Sequence, residues 1–225
     1  MHGVQADYFL VPYAQANLTK IPESLRDEQV VYCADINVTG NSAIEKAGVR
    51  IGDSGAVFAQ GPISLCATAG AKLSGASLVI GVDSIPDRLE IARRMGADVV
   101  INYTEQDPIE EIRRLTGGRG VDVAVEALGT QQTFESSLRA IRAGGTLSSL
   151  GVYSGHLVIP LEPFAAGLGD HTVVTTLCPG GKERMQRLMS MVEAGRLDLK
   201  PLMTHRFALA DIGDAYCSPR RRTAC

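Results

Sequence analysis

A glycine and an aspartate about twenty residues apart are the residues of this sequence that could do recognisable chemistry. Gly61 would let backbone amides approach a phosphate, and Pro62 can take the first position of a helix, where no amide partner is lost. Asp83 could accept hydrogen bonds from both hydroxyls of an adenosine ribose and would repel a 2′-phosphate. Together they predict a dinucleotide site that selects NAD over NADP.

The glycine fingerprint at this turn is incomplete. The three positions that are usually glycine hold Ala59, Gly61 and Ser64. Alanine can make the first turn if its backbone angles stay negative, and serine adds atoms where helix and strand pack closest. The turn alone therefore leaves open an ordinary strand-turn-helix of another α/β protein, whereas the ordered set of strand, turn, helix, strand and Asp83 favours a dinucleotide site.

Strand and helix patterns alternate along the chain, and they would place this turn at one end of a parallel sheet. Short apolar runs predict strands, and stretches with helical spacing lie between them. The predicted strands are 56–59, 77–83, 99–102, 121–126, 146–150 and 172–177, and the helices are 62–74, 87–95, 108–115, 134–141 and 183–194. Right-handed crossovers between these strands give an α/β fold with a doubly wound parallel sheet, whose two arms meet at a switch point beside Gly61.

Residues 1–33 do not look like the beginning of a domain. Residues 3–12 alternate like a strand, and Ser24 could cap a short helix over 24–34. Thr39 and Gly40 then precede a helix over 41–47 that leads up to the nucleotide-binding unit.

Composition limits the partners and the location. A net charge of −3 over 225 residues gives no support for nucleic-acid binding or for a basic membrane surface. No apolar run is long enough to span a bilayer, and the start has no signal-peptide pattern, so we expect a cytoplasmic protein. The five cysteines are scattered and form no Cys-x-x-Cys pair, which predicts reduced thiols and no structural zinc site.

Several short motifs follow one another in a fixed order. They include Asp35-x-x-x-Thr39-Gly40, Phe58-Ala-Gln-Gly-Pro-Ile, Glu126-Ala-Leu-Gly129 and Leu177-Cys-Pro-Gly-Gly-Lys. This order resembles the medium-chain zinc-dependent alcohol dehydrogenases, most closely the bacterial and archaeal secondary-alcohol branch, from Gly3 to about Tyr216. The resemblance implies hydride transfer between a small alcohol or ketone and a nicotinamide, with a catalytic zinc that polarises the alcohol oxygen.

The resemblance also implies individual roles. Asp35 matches a protein ligand of the catalytic zinc, although the residues alone favour a turn or helix-terminus aspartate. Thr39 and Gly40 match contacts near the nicotinamide, with Thr39 close to the chemistry. Asp83 and Arg88 match the pair that holds the adenosine ribose, although Arg88 could equally be a solvated helix residue. Further implied nucleotide contacts are Gly61, Pro62, Ile63, Ser64, Ala127, Leu128, Gly151 and Val152. His156, His171 and His205 have no ligand spacing.

By the same resemblance the chain divides into three parts. Residues 1–38 match the end of the first part of a GroES-like catalytic domain, 39–178 a dinucleotide-binding Rossmann domain, and 179–225 a return segment with a tail that reads as truncated or frameshifted. The other zinc ligands and the proton relay of such enzymes lie in an amino-terminal domain that is not in this sequence. We therefore expect the chain alone to be inactive.

Two alternatives stay open, an NAD-binding module without catalysis and an inactive remnant. The edge strand 172–177 predicts a homo-oligomer, a dimer or a tetramer.

Overall fold

The computed structural model describes residues 5–165 and 168–217, and its secondary structure is a six-stranded sheet with flanking helices. The strands are β1 Ser54–Phe58, β2 Leu78–Asp83, β3 Val99–Asn102, β4 Val121–Glu126, β5 Ile141–Ser149 and β6 Thr172–Thr175. The α-helices are α1 Ala14–Asn17, α2 Asp27–Val30, α3 Ile36–Ala47, α4 Pro62–Leu73, α5 Pro86–Arg94, α6 Pro108–Leu115, α7 Gln131–Ala140, α8 Lys182–Glu193 and α9 Ile212–Cys217. Short 3₁₀ segments cover Val31–Ala34, Lys200–Leu202 and Leu209–Asp211.

All six strands run parallel in the order β3-β2-β1-β4-β5-β6. The chain builds one arm outward from β1 to β3 and then returns to place β4 on the other side of β1. This is the doubly wound arrangement expected from the sequence, and its switch point lies between the carboxyl ends of β1 and β4.

Residues that alternate along the central strands point to opposite faces of the sheet, and each face packs against a layer of helices. Val57 and Val79 pack with α3 and α4 on one face, whereas Phe58 and Ile80 pack with α6 and α7 on the other. Because both faces are covered, β1 and β4 are buried at every position. A third cluster joins Val30 and Cys33 to the buried faces of α4, α5 and α8.

Helices α3 and α4 cross at Gly40. A Cβ atom placed there would lie 2.5 Å from the carbonyl oxygen of Ile63 and 2.8 Å from the nitrogen of Ala67. Only glycine permits this approach, which seats the first turn of α4 against α3. Gly40 therefore has a structural role in positioning the turn after β1, and its contact with a nicotinamide stays a prediction.

The strands from β1 to β4 and most helices match their predicted bounds to within a few residues, but the first fifty residues differ. Residues 5–12 form no strand, and Gly3 and Val4 lie outside the described residues. Ser24 does not cap a helix, because its hydroxyl hydrogen-bonds Glu193 Oε1 and α2 begins only at Asp27. Helix α3 also begins at Ile36, five residues before the predicted start.

Two further differences concern the end of the chain and the strand β5. Helix α7 ends at Ala140 and β5 begins directly at Ile141, so that Gly144 and Gly145 lie inside a strand that is irregular at its start. The side chain of Arg142 is held by Asp122 of β4, which draws this segment into the sheet.

The unusual tail after Cys217 lies outside the described residues. None of the helices in the described part of the chain has the length and apolar character needed to cross a bilayer.

Candidate nucleotide site at the switch point

The turn between β1 and α4 contains a left-handed residue at Ala59. Its φ is +66°, so the negative backbone angles under which alanine could make this turn without strain are not present. This conformation costs an L residue about 1–2 kcal/mol, and glycine would adopt it freely. The turn keeps its shape because the next residue, Gln60, is hydrogen-bonded through both its backbone and its side chain.

Gln60 is fully buried beneath the turn, and sequence reasoning gave it no role. Its backbone N–H donates to Asp83 Oδ2 at 2.6 Å, and its side-chain Nε2 donates to the carbonyl oxygen of Val57 at 2.8 Å. Its Oε1 accepts from the hydroxyl of Thr68 at 3.1 Å. These bonds connect β1, β2 and α4. The position is a variable one within the glycine fingerprint, so the sequence carried no signal for it.

Gly61 leaves an open space at the start of α4. A Cβ atom placed on it would have no protein atom within 4 Å, and its φ of −74° suits any residue. Neither packing nor backbone conformation therefore requires glycine here. No side chain caps α4, Pro62 has no N–H, and the amides of Ile63 and Ser64 are among the first-turn donors that have no helical partner. This arrangement fits the pyrophosphate of a dinucleotide.

Asp83 ends β2 next to this space and is only 4% exposed. Its Oδ1 accepts from the backbone N–H groups of Ser84 and Ile85 at 2.7 and 3.0 Å, and its Oδ2 accepts from Gln60. Arg88 Nη1 lies 3.7 Å from Oδ2, so the structure brings together the two residues expected at the ribose. The carboxylate is thus rigidly oriented, with acceptor capacity left on Oδ2.

The loops after β4 and β5 lie at the same edge of the sheet. Leu128 and Val152 are exposed, 54% and 81%, while Ala127 and Gly151 are partly buried. A Cβ atom on Gly151 would lie 2.4 Å from Gly129 Cα, so the two loops touch through their backbones. Four of the predicted nucleotide contacts therefore meet across the switch point from Gly61.

The implied zinc position is less well supported. Asp35 is exposed at the start of α3, and its Oδ1 accepts a 3.3 Å hydrogen bond from the hydroxyl of Thr39. Cys178 Sγ lies 4.0 Å from the backbone oxygen of Asp35, and burial together with this neighbouring carboxylate raises the pKa of the thiol. Within 5–165 and 168–217 no three His, Cys, Asp or Glu side chains are grouped so that they could hold a metal. These residues by themselves do not fit a zinc ion.

The described cysteines Cys33, Cys66, Cys178 and Cys217 are all free, as expected. Burial, with Cys33 nearby, raises the pKa of the Cys66 thiol to about 12. Cys66 therefore behaves as a small apolar core residue. His156 and His205 are exposed and His171 is partly buried, with no metal-binding group around any of them in this part of the chain.

Comparison with known proteins supports the interpretation of the motifs. The profile of the family described as "Zinc-binding dehydrogenase" matches residues 62–194. An alcohol dehydrogenase of Cupriavidus necator is 63% identical over 214 residues, which cover 95% of this chain and 58% of that protein. An NADP-dependent isopropanol dehydrogenase of Clostridium beijerinckii is 36% identical over 90% of this chain and 58% of its own length. The chain therefore belongs to the zinc-binding dehydrogenase family.

Solved structures agree with the fold. The alcohol dehydrogenase TADH from Thermus sp. ATN1 superimposes with a TM-score of 0.89 at 30% identity and covers 98% of this chain and 63% of its own. The zinc-dependent alcohol dehydrogenase 2 from Streptococcus pneumonia gives 0.90 at 32% identity with the same coverage. The doubly wound fold and the family resemblance are thus confirmed. The chain spans about three fifths of the length of the curated relatives it matches.

Proposed function

We propose that this chain forms the nucleotide-binding part of a zinc-dependent alcohol dehydrogenase that transfers a hydride between a secondary alcohol or ketone and NAD. The observation that carries the proposal is the uncapped start of α4, with open space at Gly61 and the buried carboxylate of Asp83 beside it. The relatives named as alcohol and isopropanol dehydrogenases support the substrate class. A bound nicotinamide supplies the hydride chemistry, and the residues of this chain bind and orient it.

Replacing Gly61 by alanine tests the proposal directly. The methyl group would enter the space that the pyrophosphate needs, yet it would touch no protein atom. We expect NADH affinity to fall by about tenfold or more, which corresponds to about 1.4 kcal/mol, while the melting temperature changes little. Titration of NADH fluorescence and thermal unfolding of the same samples measure both quantities.

Gly213→Ala is the matched control, because Gly213 also has open space around its Cβ position but lies in α9, away from the sheet. It should leave NADH affinity unchanged. Equal NADH affinity in wild type and Gly61→Ala would contradict the proposed site. A wild-type chain that is folded but binds no nicotinamide nucleotide would contradict the function itself.

Asp83 should make the site prefer NAD to NADP, although four relatives are named as NADP-dependent. A 2′-phosphate would meet the carboxylate, which also neutralises the nearby charge of Arg88. Asp83→Asn keeps an oxygen for Ser84 and Ile85 but removes the negative charge, and Asp83→Gly removes the group altogether. Both variants should lower the ratio of NADH affinity to NADPH affinity by about tenfold or more, because each removes a charge close to the 2′-phosphate. Wild type that binds NADPH at least as tightly as NADH in parallel titrations would refute this assignment.

A second candidate function is an NAD-binding module without catalysis, or a remnant that has lost activity. The described residues favour it in one respect, because the only implied zinc ligand among them is the exposed Asp35. NADH binding without turnover in a full-length natural protein would favour the module, and failure of any nucleotide to raise the melting temperature would favour the remnant.

The domain boundaries at 38/39 and 178/179 and a cytoplasmic location also belong to this proposal. The sheet, which lies wholly between Ser54 and Thr175, supports both boundaries, although the first one falls within α3, Ile36–Ala47, rather than between two elements. Limited proteolysis that cut first within the sheet would count against them. Fractionation of cells producing the natural protein would test the location, and its recovery outside the cytoplasm would count against it.

We further propose that copies of the chain associate through β6. Among residues 5–165 and 168–217 this strand pairs with β5 alone, at the end of the sheet, so the backbone groups of its outer edge have no strand partner there. Val173 on it is 40% exposed. Light scattering at high concentration should report a dimer or tetramer. Val173→Lys should shift the equilibrium toward monomer, because lysine is unfavourable at a paired apolar edge. A wild-type protein that stays monomeric throughout would exclude this interface.

A further inference from the structure

Glu126 is a fully buried carboxylate at the switch point of the sheet. It ends β4, level with Phe58 of β1 on one side and with Ser149 of β5 on the other. A carboxylate in such a place is costly unless several donors compensate for the lost water. The identity of those donors indicates what the residue does.

One oxygen of Glu126 organises the loop that follows β4. Oε1 accepts from the backbone N–H groups of Leu128 and Gly129, both at 2.8 Å, and from the hydroxyl of Thr133 at 2.7 Å. Thr133 lies in the first turn of α7, where the side chain of Thr130 caps the helix. This oxygen therefore fixes both the course of the loop and the start of the next helix.

The other oxygen reaches the segment that follows β5. Oε2 accepts from the hydroxyl of Tyr153 at 2.6 Å, and the same hydroxyl lies 2.8 Å from the hydroxyl of Ser149. Burial and the negative charge of Glu126 raise the pKa of Tyr153, so the phenol stays protonated and donates. The Tyr153 ring meets Phe134 of α7 edge to face, with ring centroids 6.2 Å apart.

The two loops are in direct contact as well as joined through Glu126. A Cβ atom on Gly151 would lie 2.3 Å from Glu126 Oε2, and one on Gly129 would lie 2.6 Å from the backbone oxygen of Val152. Leu128 and Val152 nevertheless point their side chains into solvent, so these apolar groups are not used in the core. The network thus holds two exposed apolar side chains at the carboxyl edge of the sheet.

From this geometry we infer that Glu126 and Tyr153 are positioning residues, which couple the loops after β4 and β5 so that these hold the second mononucleotide of the bound dinucleotide. The inference rests on the proposed function. In a doubly wound sheet each half binds one mononucleotide. The first half, with Asp83 at the end of β2, takes the adenosine, and the half that contains β4 and β5 takes the nicotinamide.

The test compares two ligands that differ only in the second half of the site. NADH spans both halves, whereas ADP-ribose lacks the nicotinamide ring. Tyr153→Phe removes one hydroxyl and keeps the ring against Phe134, and Glu126→Gln keeps the size of the side chain. By isothermal calorimetry on the 225-residue chain, each variant should bind NADH about tenfold more weakly and ADP-ribose within about twofold of wild type.

Asp122→Asn is the control, because Asp122 is another buried, hydrogen-bonded carboxylate near the opposite end of β4. It should lower stability without changing the ratio of the two affinities. If Tyr153→Phe weakened the binding of NADH and of ADP-ribose equally, the network would have a purely structural role. That result would overturn this inference but not the proposed function. A folded wild type that binds neither ligand would overturn the inference together with the proposed function.

Discussion

Addition of zinc, NAD and a panel of secondary alcohols to the 225-residue chain should give no metal-dependent rise in NADH absorbance. A catalytic zinc needs three protein ligands and an open position for substrate. Among the described residues Asp35 is the one ligand that the family motif supplies, and it is exposed to water. A single carboxylate cannot hold the ion against water, so the alcohol would lose the Lewis acid that makes its alkoxide accessible.

The expected loss is many orders of magnitude in rate, which places turnover below detection. A thermal-shift measurement on the same samples separates this result from a failure to fold, since NADH should still raise the melting temperature. The Cupriavidus necator alcohol dehydrogenase, assayed in parallel, is the positive control. Metal-dependent turnover by the chain would show that it recruits further ligands, and Cys178 beside Asp35 would be the first to replace.

The second large effect concerns stability at the opposite end of the sheet from the proposed nucleotide site. Asp122 Oδ2 accepts from the backbone N–H and the hydroxyl of Ser54 at 2.8 and 2.7 Å, which ties the start of β4 to the start of β1. Its Oδ1 accepts from Arg142 Nε at 2.7 Å and from Arg119 Nη1 at 3.1 Å. Asp122 is 9% and Ser54 is 6% exposed, so the bonds between them are shielded from water, whereas the side chains of Arg119 and Arg142 are 54% and 33% exposed.

Asp122→Asn should lower the free energy of unfolding by about 3 kcal/mol at neutral pH, because an amide removes the charge and turns a donor toward donors already in place. Urea denaturation followed by circular dichroism measures it. Glu183→Gln in the exposed pair with Arg187 is the control and should have little effect. A change in Asp122→Asn no larger than in this control would contradict the assignment.

The effect should also depend on pH. Burial alone would raise the pKa of the Asp122 carboxyl, but hydrogen bonds from Arg142, Ser54 and Arg119 outweigh burial and hold the pKa well below its usual range. The carboxylate therefore stabilises the fold at every pH above the unfolded pKa of about 4, and this contribution is lost as the pH falls below that value toward the folded pKa. The difference between wild type and Asp122→Asn should be constant from neutral pH to about pH 5 and then shrink in acid. A difference that grew in acid would refute the assignment.

The residues that sequence reasoning found are those whose effect is local. Pro62 at the start of a helix, the buried apolar runs of β1 and β4, and a carboxylate at the end of β2 each follow from backbone preferences and side-chain period. These signals act over a few residues, so the order of elements, the switch point and the pairing of Gly61 with Asp83 could be predicted without coordinates.

The errors fell where long-range contacts override local preference. Ser24 is a residue type that commonly caps helices, but its hydroxyl hydrogen-bonds Glu193, which is distant in the chain. Ala59 adopts a left-handed conformation that its own side chain disfavours, because the bonds of Gln60 to Asp83 and Val57 fix the turn. The side chain of Arg142 bonds Asp122 of β4, so β5 begins at Ile141, five residues before the predicted strand 146–150.

The sequence by itself therefore determined the family and the doubly wound order of strands, and it predicted the adenosine side of the proposed nucleotide site, since each depends on short motifs at fixed spacing. Only the tertiary structure revealed how Glu126 joins two loops, how Gln60 anchors the turn and that Asp122 connects three strands. In each case a buried polar group must find its partners among residues that are close in space but unrelated in sequence. Those partners are decided by the packing of the sheet against its helices, and no local pattern in the chain encodes them.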